Sequence, residues 1–279
     1  MTPVDESCPS DLLGANLREE REESFSEKAH SFAKNYFSHF YCPNPVTGNW
    51  QFWIIPQSIE INLGKFSFIV AKYLKGWGEL SHKDKELCES IVSKLATQSN
   101  RTLPFQVTIL QNKILSAWCS AGGYIGIHGH LLDKMEYYLA HREELGLTKY
   151  VHPHTGETIS YKDLTKSDLI AAILGHEMTH ADARHQGYMF ERGIFLRLIR
   201  DRRELEFEAD KYGLQLAAKS GFRPEAALFF LEVAKIELEK QLSSMPTSVK
   251  ECLINSRTHP TCTKRQIALF ETVKALMKS

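Results

Sequence analysis

The stretch AAILGHEMTHADARH, from Ala171 to His185, constrains this chain more than any other. It holds His176, Glu177 and His180 in the order H-E-x-x-H. On a helix, residues i and i+4 share a face, so the two imidazoles point to one spot about one turn apart. That suits two neighbouring corners of a zinc tetrahedron. Glu177 leaves the helix at a different angle. It is poorly placed to ligate the same ion but can reach a water bound to it, as a general base does. Leu169, Ile170, Ile173 and Leu174 supply a buried face, and Gly175 permits close backbone approach. The competing reading is an amphipathic helix with two incidental histidines. In a chain with 12 histidines, chance produces such a pentapeptide with a probability of a few per cent, in order of magnitude.

Two histidines leave a catalytic zinc short of a third protein ligand. A metzincin would place Gly at 183 and His at 186, but those positions are Ala183 and Gln186. The E-G-C-x-S segment of deformylases is absent upstream. A carboxylate on a following helix is the remaining source, and ELEFEADKYG (204–213) supplies candidates. Glu206 lies 26 positions beyond His180, room for a turn and an antiparallel return. Glu206 and Asp210 are i, i+4: one can ligate while the other accepts the free N–H of a ligand imidazole. Glu204 and Glu208 form the neighbouring i, i+4 pair, and spacing alone does not choose between the pairs. A solvated acidic face paired with Arg202 and Arg203 is the alternative. Phe207, Ala209, Leu214 and Leu216 argue instead for a core-facing helix.

Around this centre, 279 residues with 43% hydrophobic content suffice for one large domain or two small ones. Lys+Arg and Asp+Glu are equal at 34 each. There is no basic tract to hold nucleic acid or an anionic membrane surface. The apolar runs are too short to span a bilayer, so no transmembrane segment is expected. The start has no basic n-region and no apolar h-region, which points to a cytoplasmic location. The six scattered cysteines then read as reduced thiols.

Along the chain, residues 16–40 carry an apolar helical stripe (Phe25, Ala29, Phe32, Ala33, Tyr36, Phe37, Phe40). Ile59 to Leu74 reads as a helix apolar almost all round and therefore buried. Ser81 to Asp84 fits a capping box that opens a helix to about Gln98. PFQVTILQ (104–111), ILSAW and GGYIGIH read as about three strands of a small sheet. Leu131 onward turns helical, and 144–164 reads as a loop or a small hairpin turning at Thr155-Gly156. Thr165 to Asp168 is a second capping box, opening the H-E-x-x-H helix. Further helices are expected at about 192–220, 224–241 and 263–278. The fold class is α+β, mostly helical, with a small antiparallel or mixed sheet beside the H-E-x-x-H helix. The domains are an N-terminal helical extension over 1–57 and a second domain over 58–279, which its resemblance to known metallopeptidases implies to be a zincin-like peptidase domain with an insertion at about 133–165.

H-E-x-x-H followed by E-x-x-x-D within EFEAD resembles the gluzincin zinc metallopeptidases of the HtpX and CAAX-prenyl-protease type, peptidase family M48, here as a soluble member. Further segments agree in order: EINLGKF (60–66), SAGGYIGIHGHLL (120–132), Arg184-His185 after the zinc helix, and Thr258-His259-Pro260 with Arg265. The resemblance implies that His176, His180 and Glu206 ligate one Zn2+ per chain. It implies that Glu177 is the base, that Asp210 holds an imidazole, that of His176, and that His259 faces the cleft and stabilises the oxyanion. Arg265 is a structural or substrate-side charge near it. Ala121 stands where the family has proline, and 133–165 exceeds the family's short link.

The expected function is therefore a zinc metalloendopeptidase acting on unfolded or extended polypeptides. A substrate strand would pair along Gly122, Gly123, Tyr124 and Ile125. The long insertion would pack beside or over the cleft and impose latency. The alternative is a helical interaction protein with a structural or silenced zinc site. No nucleic-acid partner is expected, and oligomeric state is not readable. His185 reads as a packed or hydrogen-bonded histidine, Trp118 and Tyr124 as sheet packing, and His152 and His154 as a weak second metal pair.

Overall fold

A computed structural model of the chain describes residues 41–53, 55–185, 199–243 and 262–278, with isolated positions 27, 31 and 34 ahead of them. The chain divides into two compact units, Met1–Tyr41 and Cys42–Ser279. The apolar stripe expected over 16–40 lies outside the described residues. The larger unit is mostly helical α+β. A short hairpin, β1 (Tyr41–Pro43) and β2 (Trp50–Phe52), precedes α1 (Gln57–Leu74) and α2 (Lys85–Ala96). Strands β3 (Gln106–Leu110), β4 (Ala117–Ser120) and β5 (Tyr124–His128) lead into α3 (Gly129–Ala140). A second hairpin, β6 (Lys149–Val151) and β7 (Thr158–Ser160), precedes α4 (Lys166–Asp182). Helices α5 (Ile199–Lys219), α6 (Ala226–Ser243) and α7 (Cys262–Leu276) complete the described chain. None of the described helices is long and apolar enough to cross a membrane.

The three-stranded sheet is mixed, in the order β3-β5-β4. β5 runs parallel to β3, with Gln106 opposite Tyr124, and antiparallel to β4, with Ser120 opposite Tyr124. All five β5 residues are buried, as a strand covered on both faces and both edges must be. This corrects the expected substrate strand. Tyr124 and Ile125 have backbone partners on both sides, and Ala121–Gly123 form a 3-10 turn packed on Ile61 and Phe105. β4 is the strand of this sheet at the edge reached by α4. Trp118 and Tyr124 do pack as expected, both against Phe68.

The helix read from Ile59 to Leu74 forms but is not buried all round. Only Glu60, Gly64 and Phe68 are buried, an i, i+4, i+8 stripe. Ile59, Leu63, Phe66, Ile69, Tyr73 and Leu74 are 50% to 82% exposed. The narrow contact follows from Gly64, whose missing side chain lets α1 lie on the backbone of Ala121: a methyl there would sit 1.6 Å from that carbonyl oxygen. A buried ion pair fixes the same face. Arg101 Nη1 donates to Glu60 Oε1 at 2.9 Å and to the Ala181 carbonyl at 2.8 Å, tying α1 to the last turn of α4. Ser99 Oγ donates to the buried Asp182 carboxylate at 2.8 Å. Losing one partner of such a pair strands a charge, which typically costs about 3–5 kcal/mol.

The capping box expected at Ser81 does not form. α2 starts at Lys85 with Asp84 as its N-cap and no side-chain cap bond. The Asp84 carboxylate is instead taken by Lys166, at 2.6 Å, while its backbone N–H donates to His82 Nδ1 at 3.1 Å. The box at Thr165 and Asp168 does form, in both directions, and starts α4. The insertion is the hairpin the Thr155-Gly156 turn indicated, and His152 Nδ1 accepts from the Thr155 N–H within it. Tyr150 and His152 pack on Phe270 of α7, Glu157 pairs with Lys274, and Ile159 and Tyr161 belong to the core. These contacts join the hairpin to α7 and to the core. Cys42, Cys88, Cys119 and Cys262 are free thiols.

Candidate metal centre

α4 carries the H-E-x-x-H residues and α5 the acidic ones, and their glycines meet at the crossing. A methyl on Gly175 would lie 2.7 Å from the Gly213 carbonyl oxygen, and one on Gly213 would lie 2.6 Å from the His176 nitrogen. Backbone-to-backbone approach of this kind is what allows carboxylates on α5 to reach imidazoles on α4.

His176, His180 and Glu206 offer one ligand atom each, all within 4.8 Å of one another, and form the one such cluster among the described residues. The Nε2 atoms of His176 and His180 are 3.2 Å apart. Glu206 Oε2 lies 3.4 Å from His176 Nε2, and Glu206 Oε1 lies 3.6 Å from His180 Nε2. Zinc bonds of about 2.0–2.2 Å put the corners of a tetrahedron roughly 3.3–3.6 Å apart. The three measured edges fall around that length, and the donor set is two nitrogens and one carboxylate. The residues present therefore fit a zinc ion with a fourth corner left over.

The surrounding groups orient this set. His176 Nδ1 lies 2.9 Å from Asp210 Oδ1, so its Nε2 is left to face Glu206. Arg265 in turn grips Asp210 with two bonds, Nε to Oδ2 at 2.6 Å and Nη2 to Oδ1, and its Nη1 stands 3.8 Å from Glu206. Burial opposes charge on His176, but the carboxylates of Asp210 and Glu206 outweigh it and hold the ring up at about 10. His180 moves the other way, well below the usual histidine range, because of burial and then its neighbours His176 and His185. Asp210 is buried, yet Arg265 keeps its carboxyl below the usual range.

Glu177 is 9% exposed. It lies close enough to β4 that, after burial, its charge is the largest influence pushing the Cys119 thiol up. The base candidate is therefore near enough to Cys119 of β4 for its charge to be felt there.

Of the residues named from the sequence, His176, His180, Glu206, Asp210 and Arg265 converge on one spot. The pairing that spacing left open is resolved by geometry: Glu206 and Asp210 face the imidazoles of the pair, while Glu208 Oε2 lies 3.2 Å from His185 Nε2. His259 lies outside the described residues. His152 and His154 bring no third donor together, so no second cluster forms among the described residues. The His185–Glu208 contact was missed. Its one sequence signal was a histidine five positions past His180, beyond the helix end.

Residues 81–201 match the model of Peptidase family M48. The match contains His176, Glu177, His180 and His185. Glu206, Asp210 and Arg265 lie beyond it, so their grouping rests on the geometry above. Comparison with curated proteins gives no match.

Proposed function

Taking the chain as a peptidase of family M48, we propose that it is a zinc-dependent endopeptidase acting on unfolded or extended polypeptides. The observation that carries this reading is the three-donor cluster at tetrahedral spacing, with Glu177 next in sequence to one of its ligands. His176 and His180 from α4 and Glu206 from α5 would hold the ion. Zinc in that position supplies a Lewis acid and lowers the pKa of water at its open corner to about 7. Glu177 accepts the proton of the attacking water and returns it to the leaving amine. Asp210, itself fixed by Arg265, keeps the His176 proton on Nδ1. That leaves Nε2 as a lone-pair donor. Arg265 is thus a structural charge behind a ligand. His259 is retained as an oxyanion donor on the strength of the Thr-His-Pro resemblance alone.

An extended substrate would add along β4, residues 117–120, the edge strand nearest Glu177. Strand addition reads main chain more than side chain, so sequence specificity would be loose. An open corner and a retained base also argue against a purely structural ion, which needs neither.

The test is cleavage of an unfolded protein such as casein by the purified chain. Turnover should be lost on chelation, return with zinc, and spare folded globular proteins. A zinc-loaded chain that leaves casein intact would contradict the proposal.

A further inference from the structure

The two ligand histidines are supported differently. His176 has a carboxylate on its outer nitrogen, whereas His180 has another imidazole. His180 Nδ1 lies 2.8 Å from His185 Nδ1, and the two rings meet near edge-on, at 74°. His185 Nε2 lies 3.2 Å from Glu208 Oε2.

We propose that His185 and Glu208 form a relay that fixes the tautomer and orientation of His180. His185 is then a positioning residue of the metal centre. The proposal rests on the zinc reading given above.

Proton bookkeeping determines the direction of the relay. His180 Nε2 faces His176 and Glu206 and must offer a lone pair to a cation there. A neutral imidazole carries one N–H, so the His180 proton is on Nδ1. It donates to His185 Nδ1, which must present a lone pair. The His185 proton is then on Nε2, where it donates to the Glu208 carboxylate. In the reverse direction an N–H of His180 would point at the cation, and a lone pair of His185 at a carboxylate. Both ends would then be repulsive. A single assignment satisfies every contact, and its only net charge is on Glu208, the most exposed member of the relay, with a third of its side chain exposed.

The backbone is built to deliver His185 to this place. α4 ends at Asp182, and Arg184 takes a left-handed conformation, φ 59°, the one non-glycine residue among those described with positive φ. This reversal folds His185 back beside His180, where it is 2% exposed. Such a conformation costs a non-glycine residue of order 1 kcal/mol and persists where surroundings impose it. Here the first hairpin imposes it. Asn44 Nδ2 donates to the Ala183 carbonyl at 2.8 Å, and the Arg184 guanidinium lies 4.6 Å from the centre of the Trp53 ring and 3.4 Å from Cys42 Sγ.

The test uses the full chain with His185→Asn, His185→Leu and Glu208→Ala. Zinc affinity is measured by competition with a chelator, kcat and KM on casein separately, and the His180 tautomer by 15N shifts of the zinc-loaded protein. His185→Leu should weaken zinc binding about 10–100-fold, the usual effect of losing such a partner. It should lower kcat more than it raises KM. His185→Asn places an amide carbonyl near the position of Nδ1 and should recover most of the affinity. Packing alone would rank the two variants the other way, because Leu fills the space better. Glu208→Ala should weaken binding a few-fold and leave the His180 proton unevenly shared between its nitrogens. Should His185→Leu fail to fold, His185→Asn and Glu208→Ala carry the test. Unchanged affinity and an unchanged tautomer in Glu208→Ala, or equal losses in Asn and Leu, would overturn the relay alone. A wild-type chain that takes up no zinc would overturn the reading beneath it as well.

Discussion

Glu177→Gln is expected to keep its zinc and lose its turnover. The substitution preserves shape and hydrogen-bonding reach but removes the group that takes a proton from water. General-base catalysis contributes typically 10²–10⁴-fold, so kcat/KM should fall by about that much. Glu177 is not among the three donor atoms that cluster, so metal per chain should stay at the wild-type level. The change is isosteric at a buried position on α4, so the thermal midpoint should move little. Metal analysis beside casein turnover checks both halves. Activity within ten-fold of wild type would assign the base to another residue. Loss of zinc would place Glu177 among the ligands.

Glu206→Ala is expected to give the opposite pattern: zinc lost, and turnover lost with it. Four-ligand zinc sites bind with about 10–16 kcal/mol. One donor in four is then worth roughly 3 kcal/mol, a hundred-fold or more in affinity. Among the described residues, Glu206 is the carboxylate whose oxygens lie near both Nε2 atoms, at 3.4 and 3.6 Å. Glu206→Asp should fail nearly as badly, because the shorter side chain withdraws from both imidazoles. Glu204→Ala is the control, since sequence spacing allowed that residue too; its zinc affinity should match wild type. Chelator competition on the three variants decides the matter. Equal losses in Glu204→Ala and Glu206→Ala would mean that the acidic helix acts only through its overall charge.

What could be read from the sequence follows from how local each signal is. His176, Glu177 and His180 are on one helix, and the 3.6-residue period alone puts the imidazoles together. The Thr165–Asp168 capping box is equally local and forms as expected. Glu206 was identifiable only down to a choice between two i, i+4 pairs, because the choice depends on how far α5 is rotated against α4. That rotation is set where Gly175 and Gly213 meet, a contact 38 positions apart in the chain. Strand order was also out of reach of pattern alone. Pattern alone allows GGYIGIH to stand at an edge and pair with substrate, whereas the fold buries all of β5 in the middle of the sheet. α1 failed for a related reason. Its composition says how apolar it is, but only the tertiary contact at Gly64 and Ala121 says how narrow a face gets covered. Asp84 has the right spacing to cap, but Lys166, which takes its carboxylate, is 82 positions further along the chain.

The account stands most directly on zinc K-edge X-ray absorption of the loaded chain. It predicts first-neighbour scattering from nitrogen and oxygen at about 2.0–2.2 Å, with two imidazole patterns that fall to one in His176→Ala. A sulfur neighbour at about 2.3 Å, or an imidazole count unchanged in that variant, would contradict it.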